Sequence, residues 1–170
     1  MVPDELLDQA AFLAKPEVHQ ASNADFRRGV SACYYAVFHA LVGDATEQVA
    51  RDGTTTLKTI VRRTISHAHI AHVCQIFSRP FEKIPDPLRS ALSGPFEPEL
   101  IFLAKAFPEL QHARHQADYD DQAISDVVTV IHWHGAARFA YDGWLTVRHT
   151  PNAAAFLAAI LLGDKLGKRG

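Results

Sequence analysis

Cysteine is scarce in this chain of 170 residues: Cys33 and Cys74 are the two present, each inside an apolar helical pattern and without a CxxC spacing. That excludes a disulfide framework and reads as buried, reduced thiols in a cytoplasmic protein. Long apolar runs are missing as well. The longest, Ala153 to Leu162, falls well short of the roughly 18 residues that would suggest a membrane span. The opening "MVPDELLDQAAFLAKP" is acidic at its start and lacks the basic-then-apolar layout of a signal peptide. There is no excess of positive charge, since 17 basic residues stand against 19 acidic ones for a formal charge of −2. No global field therefore attracts nucleic acid, and any such contact must be local. A glycine-rich phosphate loop, a GxSxG elbow and a cysteine in a nucleophile's context are absent, and no short helix pair rich in Arg, Asn and Gln suggests a DNA reader. No cofactor is expected.

What the sequence does contain is helical periodicity, with 48% hydrophobic residues to build a core and no convincing period-two alternation. The expectation is one all-α domain over residues 1–170, with 163–170 as a frayed basic tail. A first helix is expected from Asp4 to Lys15, stopped by Pro16. In the second, capped by Ser22 or Asn23, the residues Val30, Cys33, Tyr34, Val37 and Leu41 share one face, with an end at or beyond Gly43. "RDGTTTLKT" from Arg51 reads as a loop. A third helix over Ser66–Phe77 turns Ile70, Val73, Cys74 and Phe77 inward. Pro80, Pro85, Pro87, Pro95 and Pro98 then interrupt an ordered connection. The fourth helix begins near Glu97 and buries Leu100, Leu103, Ala104 and Phe107, with Pro108 as a kink or a new start. The fifth presents Ile124, Val127, Val128 and Ile131 on one face, with Asp120, Asp121 or Ser125 as cap. Thr150-Pro151 caps and opens the last helix, which Gly163 ends and whose apolar circumference must be buried inside the domain or in an oligomer.

Two local patterns carry chemistry. "ARHQADYDD" (Ala113–Asp121) places Arg114 and Asp118 one turn apart, an i,i+4 ion pair that orders the helix end above the Tyr119 ring. Arg27, Arg28, Arg62 and Arg63 are the candidates for a local RNA-phosphate patch if the fold gathers them. "RRTISHAH" is read as a solvated basic turn leading into a helix with outward histidines. Among the ten histidines, the pairs His69/His72 and His112/His115 have helical i,i+3 spacing, but neither has a third ligand, so no metal site is assigned. His39, in the apolar second helix, is read as a satisfied core or interface histidine.

"RRGVSACYYAVFHALVGDA" (Arg27–Ala45), followed by "ARHQADYDD" and a long helix, resembles the HEPN domains, small all-α domains often paired with minimal nucleotidyltransferases. The resemblance covers roughly residues 20–145. It implies an up-and-down bundle of four to six helices with a long C-terminal helix hairpin, a homodimer, and a role in toxin–antitoxin or defence systems. Many members are metal-independent ribonucleases, and others are silent binding modules for a nucleotidyltransferase or a nucleotide. The family's motif, an Arg with a His four to six residues on, supplies phosphate binding and proton transfer for cleavage without metal. Here Arg114 is followed by His115, but Tyr119, Asp120 and Asp121 stand where that His is expected. Asp118 does not replace it, because Arg114 holds its carboxylate charged. The candidate catalytic set is therefore Arg114, His115, Asp118 and Tyr119.

Overall fold

A computed structural model describes residues 2–15, 20–84, 86, 88–120 and 125–162. Among them are seven α-helices and no strand: α1 (Val2–Leu13), α2 (Asn23–Ala50), α3 (Thr55–Thr64), α4 (His67–Phe77), α5 (Pro98–Tyr119), α6 (Val127–Val147) and α7 (Pro151–Leu162). The all-α expectation holds. Its tail, Ile124 and Asp121 lie outside the described residues. The chain divides into two compact units, residues 1–40 with 106–142 and residues 41–105 with 143–170, and α2, α5 and α6 each contribute to both.

Helix ends follow side-chain capping. Ser22 caps α2 through a reciprocal box with Asp25: the Asp25 amide donates to the Ser22 hydroxyl, and the Ser22 amide donates back to Asp25 Oδ2 at 2.8 Å, satisfying donors the helix leaves orphaned. The helix does not stop near Gly43. It continues to Ala50, because Ala45, Thr46 and Ala50 remain buried beyond that point and packing outweighs one glycine's propensity cost of about 1 kcal/mol. The threonine-rich loop is shorter than expected, since Thr54 accepts the Leu57 amide as N-cap and α3 starts at Thr55. Arg62 and Arg63 consequently sit on the last turn of a helix, where cations favour the C-terminal carbonyls, and not in a turn.

The start of α6 differs most from the sequence reading. Its cap is Asp126, whose Oδ1 accepts the Thr129 amide at 2.8 Å; that amide and the Thr129 hydroxyl hold the Asp126 carboxyl below its ordinary range. The inward face is Val130, Ala137, Ala140, Tyr141 and Trp144. Val128 and Ile131, expected inward, are 67% and 60% exposed. Two interleaved apolar stripes run along this helix, and spacing alone does not say which one the fold buries. α5 passes through Pro108 without ending.

In the first unit, α1, α2, α5 and α6 meet through small side chains: Ala14, Val30, Ala113, Ala117 and Val130, with Phe26, Val127 and Trp133 against them. A Cβ on Gly29 would lie 2.8 Å from Val130 Cγ1, so glycine permits the close approach of α2 to α6. Tyr34 is fully buried and packs on Phe107 at 5.4 Å between ring centroids. The second unit is built on larger rings: Trp144, Phe156, Phe77 and Phe96 follow one another at 5.9, 5.0 and 4.9 Å. α7 packs on α4 and buries Ala153, Phe156, Leu157, Ala159 and Ile160 inside this unit, with Thr150 capping it as expected. The proline-rich connection is ordered where described. Asn152, 3% exposed, holds it by accepting the Ser93 amide at 2.9 Å and donating to the Pro95 carbonyl at 3.3 Å.

Both thiols are free and buried, as expected. Burial pushes the Cys33 thiol up to about 12 and the Cys74 thiol higher still, which leaves almost no thiolate at neutral pH. Among the described residues, no helix is long and apolar enough to cross a membrane.

Candidate functional site

The opening of the site lies in a four-residue rhythm on α2. Arg27, Ser31 and Tyr35 recur at i, i+4 and i+8 and so form one stripe, which meets Arg114, Ala117 and Asp118 on α5. Arg27 Nε donates to the Ala117 carbonyl. The Ser31 hydroxyl donates to Asp118 Oδ1, and Asp118 Oδ2 stands 2.6 Å from Arg114 Nε. This last contact is an ion pair without an aligned hydrogen bond, since the buried Nε–H has no acceptor in line with it. Arg114 Nη2 donates to the Tyr35 hydroxyl at 3.0 Å and to the Tyr119 hydroxyl at 3.3 Å.

The guanidinium also lies 5.4 Å from the Tyr35 ring centroid and 5.2 Å from that of Tyr119, within reach of cation–π attraction. Burial by itself would lower the Arg114 pKa, but Tyr35, Asp118 and Tyr119 together outweigh it and hold the group above its ordinary value. Of these partners Asp118 is the carboxylate, paired with Nε at 2.6 Å. Only 18% of the Arg114 side chain is exposed, whereas Tyr119 is 63% exposed. The exposed His115 ring tilts against Tyr119 at 5.0 Å between centroids.

These positions decide what each group is able to do. Both Asp118 oxygens are engaged, one by a hydroxyl and one by a cation, so this carboxylate fixes Arg114 against α2. Among the described residues the hydrogen bonds of the Arg114 guanidinium come from Nη2, which leaves Nη1 as the donor pair for an outside oxyanion. His115 is the exposed imidazole on the Tyr119 side of the guanidinium. The expected clamp of Arg114 on Asp118 is therefore present, with Tyr119 flanking it.

Tyr35 and Ser31 belong to the same cluster, and sequence reasoning did not include them. The available signal was their i,i+4 alignment with Arg27. His39, expected in the core or at an interface, is exposed and so not in the core; it lies near-parallel to the Tyr35 ring at 6.0 Å, extending the same stripe by one more turn. Arg28 is exposed on α2 in the first unit, while the exposed Arg62 and Arg63 belong to the second. His69 is not outward either: it is half-buried, with Nε2 3.2 Å from the Ala159 carbonyl. Among the described residues, no three of His, Cys, Asp and Glu are grouped to hold a metal ion.

The fold and this cluster define an all-α helical protein with an arginine set between two tyrosines and fixed by an aspartate. No family model, no curated protein and no solved structure matches the chain.

Proposed function

We propose that this is a HEPN-like protein that works as a homodimer and engages RNA through the Arg114 cluster, in a toxin–antitoxin or defence setting. The observation that carries this reading is the combination at one place of a fixed cation with an unused donor pair, Arg114, and an exposed aromatic face, Tyr119 with His115. Single-stranded RNA is held by that chemistry, phosphate on guanidinium and base on ring. His115 is the group for proton transfer if the RNA is cut, and Arg27 and Arg28 lie on the adjoining helix to take neighbouring phosphates.

The second reading, a silent HEPN-like module for a nucleotidyltransferase or a nucleotide, is favoured by one feature. Asp118, Tyr35 and Tyr119 already engage most of the guanidinium. Purified protein assayed with single-stranded RNA in excess chelator separates the two. Cleavage that His115→Ala abolishes, while leaving RNA binding intact, establishes the ribonuclease. Binding without cleavage establishes a silent RNA-binding module, and neither binding nor cleavage rejects an RNA role at this site.

In this reading the two copies pair through the outer stripe of α6. Ile131 precedes Gly135 by one turn and Phe139 follows it by one turn; both side chains are 60% exposed. Nothing lies within 4 Å of a Cβ built on Gly135, so two copies crossing antiparallel there approach closely and set Ile131 of each against Phe139 of the other. That self-complementary match is what a two-fold interface requires. Ile131→Glu with Phe139→Glu is expected to give a folded monomer by sedimentation where the wild type is a dimer. An unchanged dimer would move the interface elsewhere.

A further inference from the structure

The second unit contains a pocket of about 250 Å³ that has no part in the Arg114 cluster. It is lined by Asp44, Glu47, Gln48 and Arg51 from the end of α2, by Arg148 and His149 after α6, and by Ala154 and Leu157 of α7. We propose that this pocket binds the oxyanion of a small molecule, with Arg148 as the principal ligand and Arg51 and His149 as its flanking donors.

The argument starts from Arg148. About two-thirds of its side chain is withdrawn from water, its Nε is buried without an acceptor, and its nearest anion, Asp44 Oδ1, is 3.7 Å from Nη1, too far for a hydrogen bond. Unsatisfied buried donors on a charged group are costly, and native structures seldom leave them so. Asp44 is not free to move closer. Its Oδ2 accepts the indole N–H of fully buried Trp144 at 2.7 Å, which fixes the carboxylate and, with it, the direction in which the guanidinium faces.

The other carboxylate in the pocket is also committed. Glu47 takes Lys58 Nζ on both oxygens at 2.8 and 3.0 Å, and that bond holds its carboxyl below the ordinary range. Gln48 is tied by its Nε2 to the Ala154 carbonyl at 3.2 Å. Formally, Arg51, Lys58 and Arg148 set three positive charges against Asp44 and Glu47. An incoming oxyanion thus meets a pre-oriented cation whose buried Nε has no acceptor, and guanidinium–oxyanion contacts of this kind are strong. The volume admits the anionic group and a short attached chain, slightly below the range of drug-sized ligand pockets.

Cations near the ends of α2 and α6 also suit the C-terminal carbonyls of those helices, and a dipole-only role predicts no ligand. Titration of the full chain with inorganic phosphate at constant ionic strength, followed at the Trp144 indole N–H by NMR, distinguishes the two. Trp133→Phe assigns that resonance. The expected result is a saturable shift that chloride does not reproduce, weakened by roughly tenfold or more in Arg148→Gln, the scale of one lost charge-assisted hydrogen bond. Arg51→Gln, on an exposed side chain that the fold does not depend on, is expected to weaken it by a smaller factor. Acetate matching phosphate would assign a carboxylate ligand, and glycerol phosphate exceeding both would assign a phosphate ester. A shift that merely tracks salt, or one unchanged in both Arg51→Gln and Arg148→Gln, overturns the proposal.

Discussion

Trp144→Ala is expected to lower the unfolding free energy by about 3–5 kcal/mol, the range for removing a large buried aromatic side chain. The ring is fully buried and stands at the head of the Phe156, Phe77 and Phe96 series. Its loss opens a cavity that these rigid rings are poorly placed to fill. It also strips Asp44 of its indole partner, adding an unsatisfied polar group. Set against the 5–15 kcal/mol typical of a whole domain, the change removes a large share of stability. Trp144→Phe helps separate the two contributions, because it keeps most of the volume while removing the N–H together with a smaller part of the ring system. Its expected cost is about 1–3 kcal/mol. Urea unfolding followed by far-ultraviolet circular dichroism measures both, and a Trp144→Ala midpoint equal to wild type would show that the described core does not carry the stability assigned to it.

Arg114→Ala is expected to weaken single-stranded RNA binding by about 10- to 100-fold, the equivalent of one charge-assisted contact of roughly 1.5–3 kcal/mol. Its effect on stability should be smaller. The helix pair keeps Arg27 on the Ala117 carbonyl and Ser31 on Asp118, and a partly exposed i,i+4 pair contributes modestly. Arg114→Lys restores the charge but not the planar fork that spans Tyr35 and Tyr119, so it should recover only part of the affinity. Anisotropy titrations with a short labelled oligonucleotide read the difference. Equal affinities for wild type, Arg114→Ala and Arg114→Lys would remove Arg114 from the RNA site, whatever the fate of His115.

The core of α2 was legible because Val30, Cys33, Tyr34, Val37 and Leu41 repeat with helical spacing and every one of them is buried. The same holds for Ile70, Val73, Cys74 and Phe77 on α4, and for Leu100, Leu103, Ala104 and Phe107 on α5. α6 was not legible in this way. It offers two apolar stripes, and the choice of Val130, Ala137 and Trp144 over Val128 and Ile131 comes from small residues on its neighbours. Gly29 and Ala14 leave room for Val130, a condition set by other helices far away in sequence.

The candidate site divides in the same manner. Arg114 and Asp118 are one turn apart on one helix, so local geometry alone specifies their pairing, and the ion pair at 2.6 Å was readable from the sequence. Tyr35 and Ser31 reach that pair from a helix about eighty residues earlier in the chain, and the Arg148 pocket joins α2 to α7 across an even longer separation. By itself the sequence determined an all-helical protein, the faces of three helices and the clamp of Arg114 on Asp118, because each depends on neighbours within two turns. Tertiary structure alone decided which stripe of α6 is buried, that two tyrosines enclose the arginine, and that Arg148 Nε is buried without an acceptor, because each depends on which helices meet and at what register.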